Sequence, residues 1–392
     1  MTQSNSNRFL SSLAALCIVF FFASADSSTP IRKRLFGRRH KPLTSVVLPE
    51  VSISQVDTNV TAVIPEWKRN LPSPLNEKTK TLQRLAIPGP GGKTVVVYLL
   101  GTAHVSCDSS RDVKLLLESI NPNVIFLELC DQRIPLLVAS KPDNTTAKEE
   151  EEQKTSLWKQ LRQPENKSLY GMAATLLTHT QQDYATSLGV ELGGEFRVAH
   201  DYWEIQRQNS RLHMVLGDRP LYLTLTRAWE SLGIWGKTKL IIGLLISSLQ
   251  KPNAKELKEW MQSILNDDSG DLLTKSIAEL GNHFPTLEEV IIRERDAYMA
   301  CKLYQTCRQL MMQSEGNYTL VAIIGAGHVE GICRWLTEGN GQGPEQILTQ
   351  LIQTNKPIDA ESSRYLVEDV MEVNHEMMQE IAREMKSKSN SE

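Results

Sequence analysis

The chain has 392 residues, of which 41% are hydrophobic and 23% charged, and its net charge is −3 at pH 7. These values are typical of a globular protein with one large or two modest domains. The small net charge gives no indication of a nucleic-acid partner, and we expect none. Six cysteines are present and no pair has C-x-x-C spacing, which argues against a zinc ribbon or a dithiol redox site.

Residues 1–25 are predicted to be a targeting segment. Phe9–Ala25 is apolar over the length of a signal sequence and ends in Ala-Ser-Ala, which resembles a signal-peptidase site. The basic stretch 31–41 follows this run, and positive charge tends to stay on the cytosolic side of a membrane. This order favours a signal-anchor in the mitochondrial outer membrane, with the main domain facing the cytosol. The alternative is a cleaved signal peptide that sends the chain into the secretory pathway.

Residues 26–80 read as a basic and polar linker, and the folded domain is predicted to begin near residue 81. Residues 81–87 and 94–100 are predicted strands, because a Pro/Gly turn separates two apolar runs. Residues 94–100 show no alternation of apolar and polar side chains, so we expect this strand to be buried on both faces.

A helix over 111–120, capped by Ser109 or Ser110, is predicted to lead from this strand to a second buried strand at 124–129. A strand, a helix and a strand of this length form a βαβ unit. The two strands of such a unit are parallel.

The middle of the chain is predicted to be mainly helical. Residues 141–168 read as a charged insertion, and 169–313 as helices that end in a long one capped by Thr286. The apolar run 240–246 is too short to span a bilayer, which needs about 20 residues. We interpret it as a core helix, with a helix lying on a membrane as the alternative.

A third buried strand at 320–324 is predicted to enter a helix that ends near residue 335. Residues 338–392 read as a Gly-rich loop, a polar amphipathic helix over 367–386 and a disordered tail. Taken together, the elements predict an α/β (α+β) fold with a buried mixed sheet, one βαβ unit and a large helical middle region.

Two predicted strands end in the same short motif. Gly101-Thr-Ala-His104 follows one strand and Gly325-Ala-Gly-His328 follows another. A Gly at the end of a strand allows a sharp turn and a close approach to a ligand. Ligands of α/β proteins gather beyond the carboxyl ends of the parallel strands. Two such turns on neighbouring strands would place two imidazoles, which are common metal ligands, in one cleft.

Glu128 lies in the predicted buried strand 124–129, where a carboxylate is costly unless it is paired or bound to a metal. With His104 and His328 it would form a His₂-carboxylate set for a divalent ion such as Zn, Mn or Co. A metal in such a set lowers the pKa of its bound water to about 7 and produces a nucleophile. The alternative is that Glu128 and Arg133 form a structural ion pair and that the histidines are hydrogen-bonded core residues.

Three further polar blocks predict a buried network around the cleft. They are 193–197, 217–220 and 293–296, and each combines charged with apolar residues. For Arg293 and Glu294 we favour helix-surface pairs with residues three or four positions away.

These blocks resemble a known family in their order. GTAHVS at 101–106, LELCDQR at 127–133 and GAGHVEGI at 325–332 are similar to motifs of the TraB-domain proteins. GGEFR at 193–197, LGDRP at 216–220 and ERDAYMA at 294–300 are similar to the blocks between them. The resemblance covers residues 81–337. It extends to the bacterial pheromone-shutdown proteins and, more distantly, to the Tiki metalloproteases.

The resemblance implies a Tiki/erythromycin-esterase-like fold in which His104, Glu128 and His328 hold a divalent metal and support peptide hydrolysis. Glu128 would act in catalysis, and Arg133 or Arg197 would stabilise the developing oxyanion. The chain is therefore predicted to be a metal-dependent, peptidase-like hydrolase with a peptide or protein substrate. The alternative is a non-catalytic adaptor or organelle-contact protein, held on a membrane by residues 1–25, with histidines that only lock the fold.

Overall fold

A computed structural model provides the structure of the chain. The residues that it describes are 65–102, 107–138, 172, 175–176, 193–208, 212–249, 281–313, 317–339 and 341–389. The predicted targeting segment 1–25, the insertion 141–168 and His104 lie outside the described residues, as does most of the predicted linker.

The described residues form one six-stranded sheet with the order β1-β2-β5-β3-β4-β6. The four central strands are parallel, whereas β1 and β6 pair antiparallel at the two edges. This sheet and the helices around it confirm the predicted mixed α/β fold. The strands are β1 (Leu82–Pro88), β2 (Thr94–Thr102), β3 (Val124–Leu127), β4 (His213–Leu216), β5 (Tyr318–Gly325) and β6 (Met371–Glu372).

β2 and β5 are neighbours, and their register places Thr102 opposite Gly325. The predicted βαβ unit has parallel strands, but β5 lies between β2 and β3. Six consecutive residues at the end of β5 are buried, as expected for a central strand covered on both faces. The strands that precede the two Gly-x-x-His motifs therefore end side by side at the carboxyl edge of the sheet.

The helices cover both faces of the sheet. They are α1 (Glu66–Arg69), α2 (Cys107–Ile120), α3 (Pro135–Val138), α4 (Gly194–Gln206), α5 (Leu221–Ser231), α6 (Ile234–Leu249), α7 (Pro285–Glu288), α8 (Glu294–Gln313), α9 (Ala326–Glu338), α10 (Pro344–Leu351), α11 (Ala360–Glu368) and α12 (His375–Ser389). A π-helical turn, Glu289–Arg293, joins α7 to α8.

Alternate residues of β3 contribute to two different apolar cores. Ile125 and Leu127 pack in a core with α2, α4 and α12. Val124 and Phe126 pack in a core with α8 and α9. Side chains of a strand point alternately to opposite faces, so helices cover the sheet on both sides. Because both faces of the sheet are covered by apolar cores, buried charged side chains are found at the ends of strands and helices.

Several predicted boundaries change in the structure. β3 ends at Leu127, so Glu128 follows the strand and is not inside it. α2 begins at Cys107, and Ser109 and Ser110 therefore lie within the helix and do not cap it. The long helical region starts at Pro285 with Phe284 as its N-cap residue, which leaves Thr286 inside α7.

Two predicted helical regions contain strands. β4 interrupts the segment that was predicted to be mainly helical, because its four residues pair with β3 over their whole length. The region predicted as one helix over 367–386 instead contains the end of α11, β6 and most of α12. Strand β6 has only two residues, and its pairing with β4 is not visible in a sequence pattern.

Helix α6 contains the apolar run 240–246. Leu240, Ile241 and Leu244 are buried, as predicted for a core helix, but Ile242 and Ile246 are exposed. In the part of the chain that the structure describes, we find no helix with the length and apolar character needed to cross a bilayer.

Candidate functional site

Six buried polar side chains meet at the carboxyl edge of the sheet, and we call this group the edge cluster. Each is only 3–6% exposed. They are Glu128 after β3, Arg133 in the turn that follows, Asp218 after β4, Arg295 and Asp296 in the first turn of α8, and His328 in the first turn of α9. Ligand sites of α/β sheets lie at this edge, and this is where the sequence analysis expected a cleft.

Arg295 is the central residue of the edge cluster. Its Nη2 donates to the Glu128 carboxylate, and its Nε and Nη2 donate to the two oxygens of Asp218 at 3.0 and 2.9 Å. Its Nη1 lies 3.2 Å from His328 Nε2. Burial lowers the pKa of Arg295, but the Asp218 and Glu128 carboxylates more than compensate and raise it above its ordinary value. The guanidinium is therefore a fixed positive charge.

Glu128 connects two strands and a helix. Its backbone N–H donates to Ile323 O on β5 at 3.0 Å. Its Oε2 accepts a hydrogen bond of 2.5 Å from the N–H of Gly325, the N-cap residue of α9. A carboxylate at a helix N-terminus also interacts favourably with the helix dipole. These contacts, with Arg295, explain how Glu128 is accommodated away from water.

Arg133 donates to the backbone oxygen of Glu128 at 3.0 Å and to the Asp218 carboxylate. The salt bridge of Arg133 is with Asp218, and that of Glu128 is with Arg295. The Glu128–Arg133 ion pair considered from the sequence is therefore wrong, because Arg133 contacts the backbone oxygen of Glu128 and the two side chains pair with other members of the edge cluster. Arg295 and Arg133 lower the pKa of Asp218 and outweigh the opposing effect of burial, so this carboxylate is charged.

His328 is held at both ring nitrogens. Its Nδ1 lies 2.5 Å from Asp296 Oδ1, and its Nε2 lies 3.4 Å from Glu128 Oε1. Burial lowers the pKa of His328, but Glu128 and Asp296 together raise it above its ordinary value. Arg295 can only donate, so Nε2 accepts from it in the neutral imidazole, whereas its contact with Glu128 Oε1 at 3.4 Å is an ionic one that requires a protonated ring.

The edge cluster is close to charge balance. It contains three carboxylates, two guanidiniums and one imidazole, so the charges cancel when His328 is protonated. Burial raises the pKa of Asp296 and outweighs the favourable effect of His328. A proton gained or lost in the edge cluster therefore changes the electrostatic energy of several neighbouring charges, because the local dielectric is low.

A second ion network adjoins the edge cluster. Arg219, which is 1% exposed, donates to Glu294 at 2.6 Å and to Val290 O at 2.8 Å. Arg227 also donates to both oxygens of Glu294, at 2.8 and 2.6 Å. Asp218 accepts from the Arg219 N–H at 2.8 Å, which links the two networks. Blocks 217–220 and 293–296 are thus brought together, as predicted.

The surface pairing predicted for Arg293 and Glu294 is correct for the first residue only. Arg293 is 57% exposed and lies 3.6 Å from Glu289 and 3.1 Å from Glu288. Glu294 is instead largely buried between Arg219 and Arg227. The change from surface to interior occurs within one residue, at the junction of the π turn and α8.

Arg197 lies on the other side of the sheet from α8 and α9. It is in the first turn of α4, where a Cβ on Gly194 would come within 2.9 Å of Ser110 Oγ and 3.9 Å of Arg197 Nη2. Of the two arginines predicted to stabilise an oxyanion, the structure therefore places Arg133 within the edge cluster and Arg197 in the opposite layer.

Two glycines are required by close packing. A Cβ on Gly101 would lie 2.9 Å from Ala326 Cα and 2.8 Å from Val329 Cγ2. A Cβ on Gly331 would lie 2.0 Å from Asp296 Oδ2. The sequence predicted that Gly101 permits a turn near a ligand. In the structure Gly101 is the last residue but one of β2, and its small size lets α9 approach the strand.

The donor chemistry of the edge cluster fits a divalent metal in part. His328 has one ring nitrogen held by a carboxylate, an arrangement typical of metal-ligating histidines, and Glu128 is next to its other nitrogen. Among the residues described, no group of three His, Cys, Asp or Glu is placed to hold a metal. His104, the third predicted ligand, lies outside those residues. The Arg295 guanidinium contacts both remaining donors and supplies positive charge there.

Sequence reasoning identified Glu128, Arg133 and His328 individually, whereas it placed Asp218, Arg295 and Asp296 only within polar blocks and gave none of them a role of its own. The available signal was a pair of adjacent opposite charges flanked by apolar residues, in LGDRP and in ERDAYMA. The partners are 77 residues apart for Asp218 and Arg295, and no local pattern encodes that distance.

The fold and the edge cluster define an α/β protein in which a parallel sheet, fringed by antiparallel strands, carries a buried His–carboxylate–guanidinium centre at its carboxyl edge. The sequence profile of the TraB/PrgY/gumN family matches residues 87–343, about two thirds of the chain. The chain belongs to this family, which confirms the resemblance seen in its motifs.

Individual relatives are similar over the same region. A TraB domain-containing protein of Bos taurus is 33% identical over 262 residues, which cover 63% of this chain and 64% of the relative. The protein of the same description from Homo sapiens is 32% identical over 260 residues, with the same coverage. An uncharacterized protein of Methanocaldococcus jannaschii is 31% identical over 262 residues, covering 66% of this chain and 58% of its own. The match thus spans slightly less than two thirds of the relatives' length.

Proposed function

We propose that the chain is a metal-dependent hydrolase that acts on peptide-like bonds, with its centre at the edge cluster. The observation that carries the proposal is the geometry of His328. Asp296 holds Nδ1 at 2.5 Å, and Nε2 lies 3.4 Å from Oε1 of Glu128, whose Oε2 accepts from Gly325 N–H at the end of β5. A carboxylate that orients an imidazole in this way supports both metal ligation and general acid–base catalysis.

In this proposal Glu128 and His328 hold the metal together with His104, which follows β2 in the sequence. A bound divalent ion would polarise the scissile carbonyl and lower the pKa of its water to about 7. Asp296 fixes the ring of His328 and keeps the proton on Nδ1. Arg133 and Arg295 supply positive charge where an oxyanion develops, and Asp218 holds both. Arg295 Nη1 would leave His328 Nε2 when that nitrogen ligates the metal.

The test is metal analysis of the full-length chain after reconstitution with Zn, Mn or Co. It compares the parent with a His104→Ala/His328→Ala variant and a matched His213→Ala/His375→Ala variant. His213 and His375 lie on the surface, 37% and 47% exposed. We expect close to one equivalent of metal in the parent and in the surface variant, and none in the site variant. Fluorogenic peptides should be cleaved only by the two proteins that hold metal.

The single variant His104→Ala keeps the experiment decisive if the double variant unfolds, because the edge cluster retains its described contacts. Unchanged metal content in a folded His104→Ala protein would contradict the proposed ligand set. Failure of every protein to take up metal would contradict metal dependence.

A second candidate function is a membrane-anchored adaptor whose histidines only lock the fold. Burial of the edge cluster favours it, since each member is only 3–6% exposed and the ionic groups compensate one another. Residues 1–25 would anchor the adaptor in the mitochondrial outer membrane, with its main domain facing the cytosol. The alternative is that a cleaved signal peptide sends the chain into the secretory pathway. It predicts that the His328→Ala variant loses stability without any loss of metal, and that deleting residues 1–41 releases the chain from membranes.

A further inference from the structure

Helix α6 exposes an apolar face that no described element covers. Its buried side carries Leu240, Ile241 and Leu244. Trp235 is 87% exposed, and Ile242 and Ile246 are 51% and 40% exposed. These three residues are seven and four positions apart, which places them on one side of a helix. Ile234, 85% exposed, adjoins them at the start of α6, and the four residues form the α6 apolar face.

The concentration of exposed apolar residues on α6 is unusual for this chain. Six large apolar side chains are exposed among the described residues, and four of them belong to the α6 apolar face. Single exposed apolar residues are normal, whereas contiguous ones mark interaction sites. An open groove of about 630 Å³ runs along the same side, lined partly by Trp235, Gly236, Ile242, Gly243 and His283.

The charges of α6 are all positive. Its 16 residues include Lys237 and Lys239 and no acidic residue. The Lys237 ammonium lies 5.1 Å from the Trp229 ring centroid, and that of Lys239 lies 4.8 Å from the Phe284 ring centroid. Lys239 is four positions after Trp235 and three before Ile242, so it lies on the side of the apolar face, whereas Lys237, two positions after Trp235, lies on the opposite side of the helix. Apolar side chains together with positive charge are complementary to a surface that has an apolar interior and negatively charged groups on its outside.

We propose that the α6 apolar face docks on the surface of a lipid bilayer with anionic headgroups. A helix of 16 residues is about 24 Å long, too short to span the bilayer but suited to lying parallel to it. Isoleucines enter the acyl boundary, and tryptophan is favoured at the interface because its ring is both apolar and polar. Lys239 adds electrostatic attraction to an anionic surface.

A second copy of the chain fits this face less well. Stable protein–protein interfaces bury about 800 Å² on each partner and use about 20–30 residues of each. The α6 apolar face offers four large apolar side chains, which is a small fraction of that number. Binding to a bilayer does not require an interface of this size, because each inserted side chain contributes to the binding free energy independently.

The test uses the full chain and tryptophan quenching by brominated lipids. Vesicles contain either brominated phosphatidylcholine alone or a mixture with 30% phosphatidylserine. The first tryptophan in the sequence is Trp67, so the N-terminal apolar run can bind vesicles without contributing to the signal. A Trp235→Phe variant removes the reporter while keeping an aromatic ring. Ile242→Glu/Ile246→Glu disrupts the face, and Ile205→Glu, at a 68% exposed position on α4, is the matched control.

We expect phosphatidylserine vesicles to quench a component of the fluorescence that is absent from Trp235→Phe. Ile242→Glu/Ile246→Glu should lose that quenching at least tenfold, and Ile205→Glu should keep it. Equal quenching of the parent and Trp235→Phe would overturn the proposal, and equal quenching by both vesicle types would overturn the anionic surface. Circular dichroism verifies that each variant is folded.

Two further measurements separate the other occupants. Analytical ultracentrifugation that shows a dimer lost in Ile242→Glu/Ile246→Glu, with quenching unchanged, would assign the face to a second copy. Trp235 that is inaccessible to acrylamide in the lipid-free chain would assign it to a segment of the chain itself. Either result would overturn docking on a bilayer.

Discussion

Asp296 Oδ1 lies 2.5 Å from His328 Nδ1, although the two residues belong to different helices and both are buried. The contact joins the first turn of α8 to the first turn of α9, which follows the central strand β5. It determines how the imidazole faces Glu128 and Arg295. The edge cluster therefore depends on the relative position of two helix ends, and changes at Asp296, Gly331 and Arg295 test this dependence.

The first prediction concerns Asp296. Replacing it with Ala removes the acceptor of the Nδ1 hydrogen bond in a buried site, so we expect a loss of about 1–3 kcal/mol in the free energy of unfolding. The matched change is Asp201→Ala. Asp201 also contacts a histidine, but it is 75% exposed and its Oδ1 lies 3.7 Å from His200 Nδ1. We expect Asp201→Ala to cost less than about 0.5 kcal/mol. Urea unfolding measures both, and equal costs would show that the buried contact contributes nothing.

The second prediction concerns Gly331. A Cβ there meets Asp296 Oδ2 at 2.0 Å, whereas a Cβ on Gly233 has no heavy atom within 4 Å. Overpacking costs about 1–3 kcal/mol, and we expect Gly331→Ala to be destabilising even though Ala is favoured in a helix. Gly233→Ala should be neutral or slightly stabilising.

A double-mutant cycle identifies the cause of the Gly331 effect. If Asp296 is the obstacle, the cost of Gly331→Ala should nearly disappear when Asp296 is already Ala. A cost that remains unchanged in this background would mean that the clash is with another part of α8.

The third prediction compares two arginines on adjoining turns. Arg295→Leu leaves Glu128 and Asp218 buried without their shared cation, and breaking a buried ion pair in this way costs about 3–5 kcal/mol. Arg293→Leu removes surface pairs of a side chain that is 57% exposed and should cost less than about 1 kcal/mol. Thermal and urea unfolding give both values. Similar values for the two variants would contradict the central role of Arg295.

The fourth prediction is a pH dependence at Lys302. Its Nζ donates to Asp369 O at 2.6 Å, and burial lowers its pKa from the ordinary 10.5 to about 7. Between these two values the unfolded chain binds more protons than the folded one, so stability rises with pH in this window. Below pH 7 both states are protonated and the full cost of the buried charge remains.

Lys302→Met provides the measurement, because all other titrations are shared with the parent. From pH 7 to 9 the parent should gain stability relative to Lys302→Met, by up to about 1.4 kcal/mol per pH unit. Parallel stability curves for the two proteins would show that Lys302 keeps its ordinary pKa in the fold.

Local sequence was sufficient to predict those strands that a long apolar run marks by itself, without reference to the strands they pair with. The unbroken apolar runs in β2 and β5 indicated central strands, and both are central. Burial on both faces is confirmed for β5 from Leu320 on, but it is wrong for the first part of β2, where Thr94, Val96 and Tyr98 are partly exposed. The Gly-x-x-His spacing indicated that two motifs follow strand ends, and the strands are adjacent. β4 and β6 could not be predicted, because four and two residues are too short for a period and form only by pairing with each other and with β3.

The sequence by itself indicated a buried polar network, because Glu128 lies in an apolar run where an unpaired charge is costly, and blocks 217–220 and 293–296 combine charged with apolar residues. It also determined the family through six ordered motifs. Only the tertiary structure decided the partners: Glu128 pairs with Arg295 and not with the nearby Arg133, and Asp296 holds His328. The reason is that ionic pairing depends on distance in space, and the distances between these groups are set by where strands and helices end.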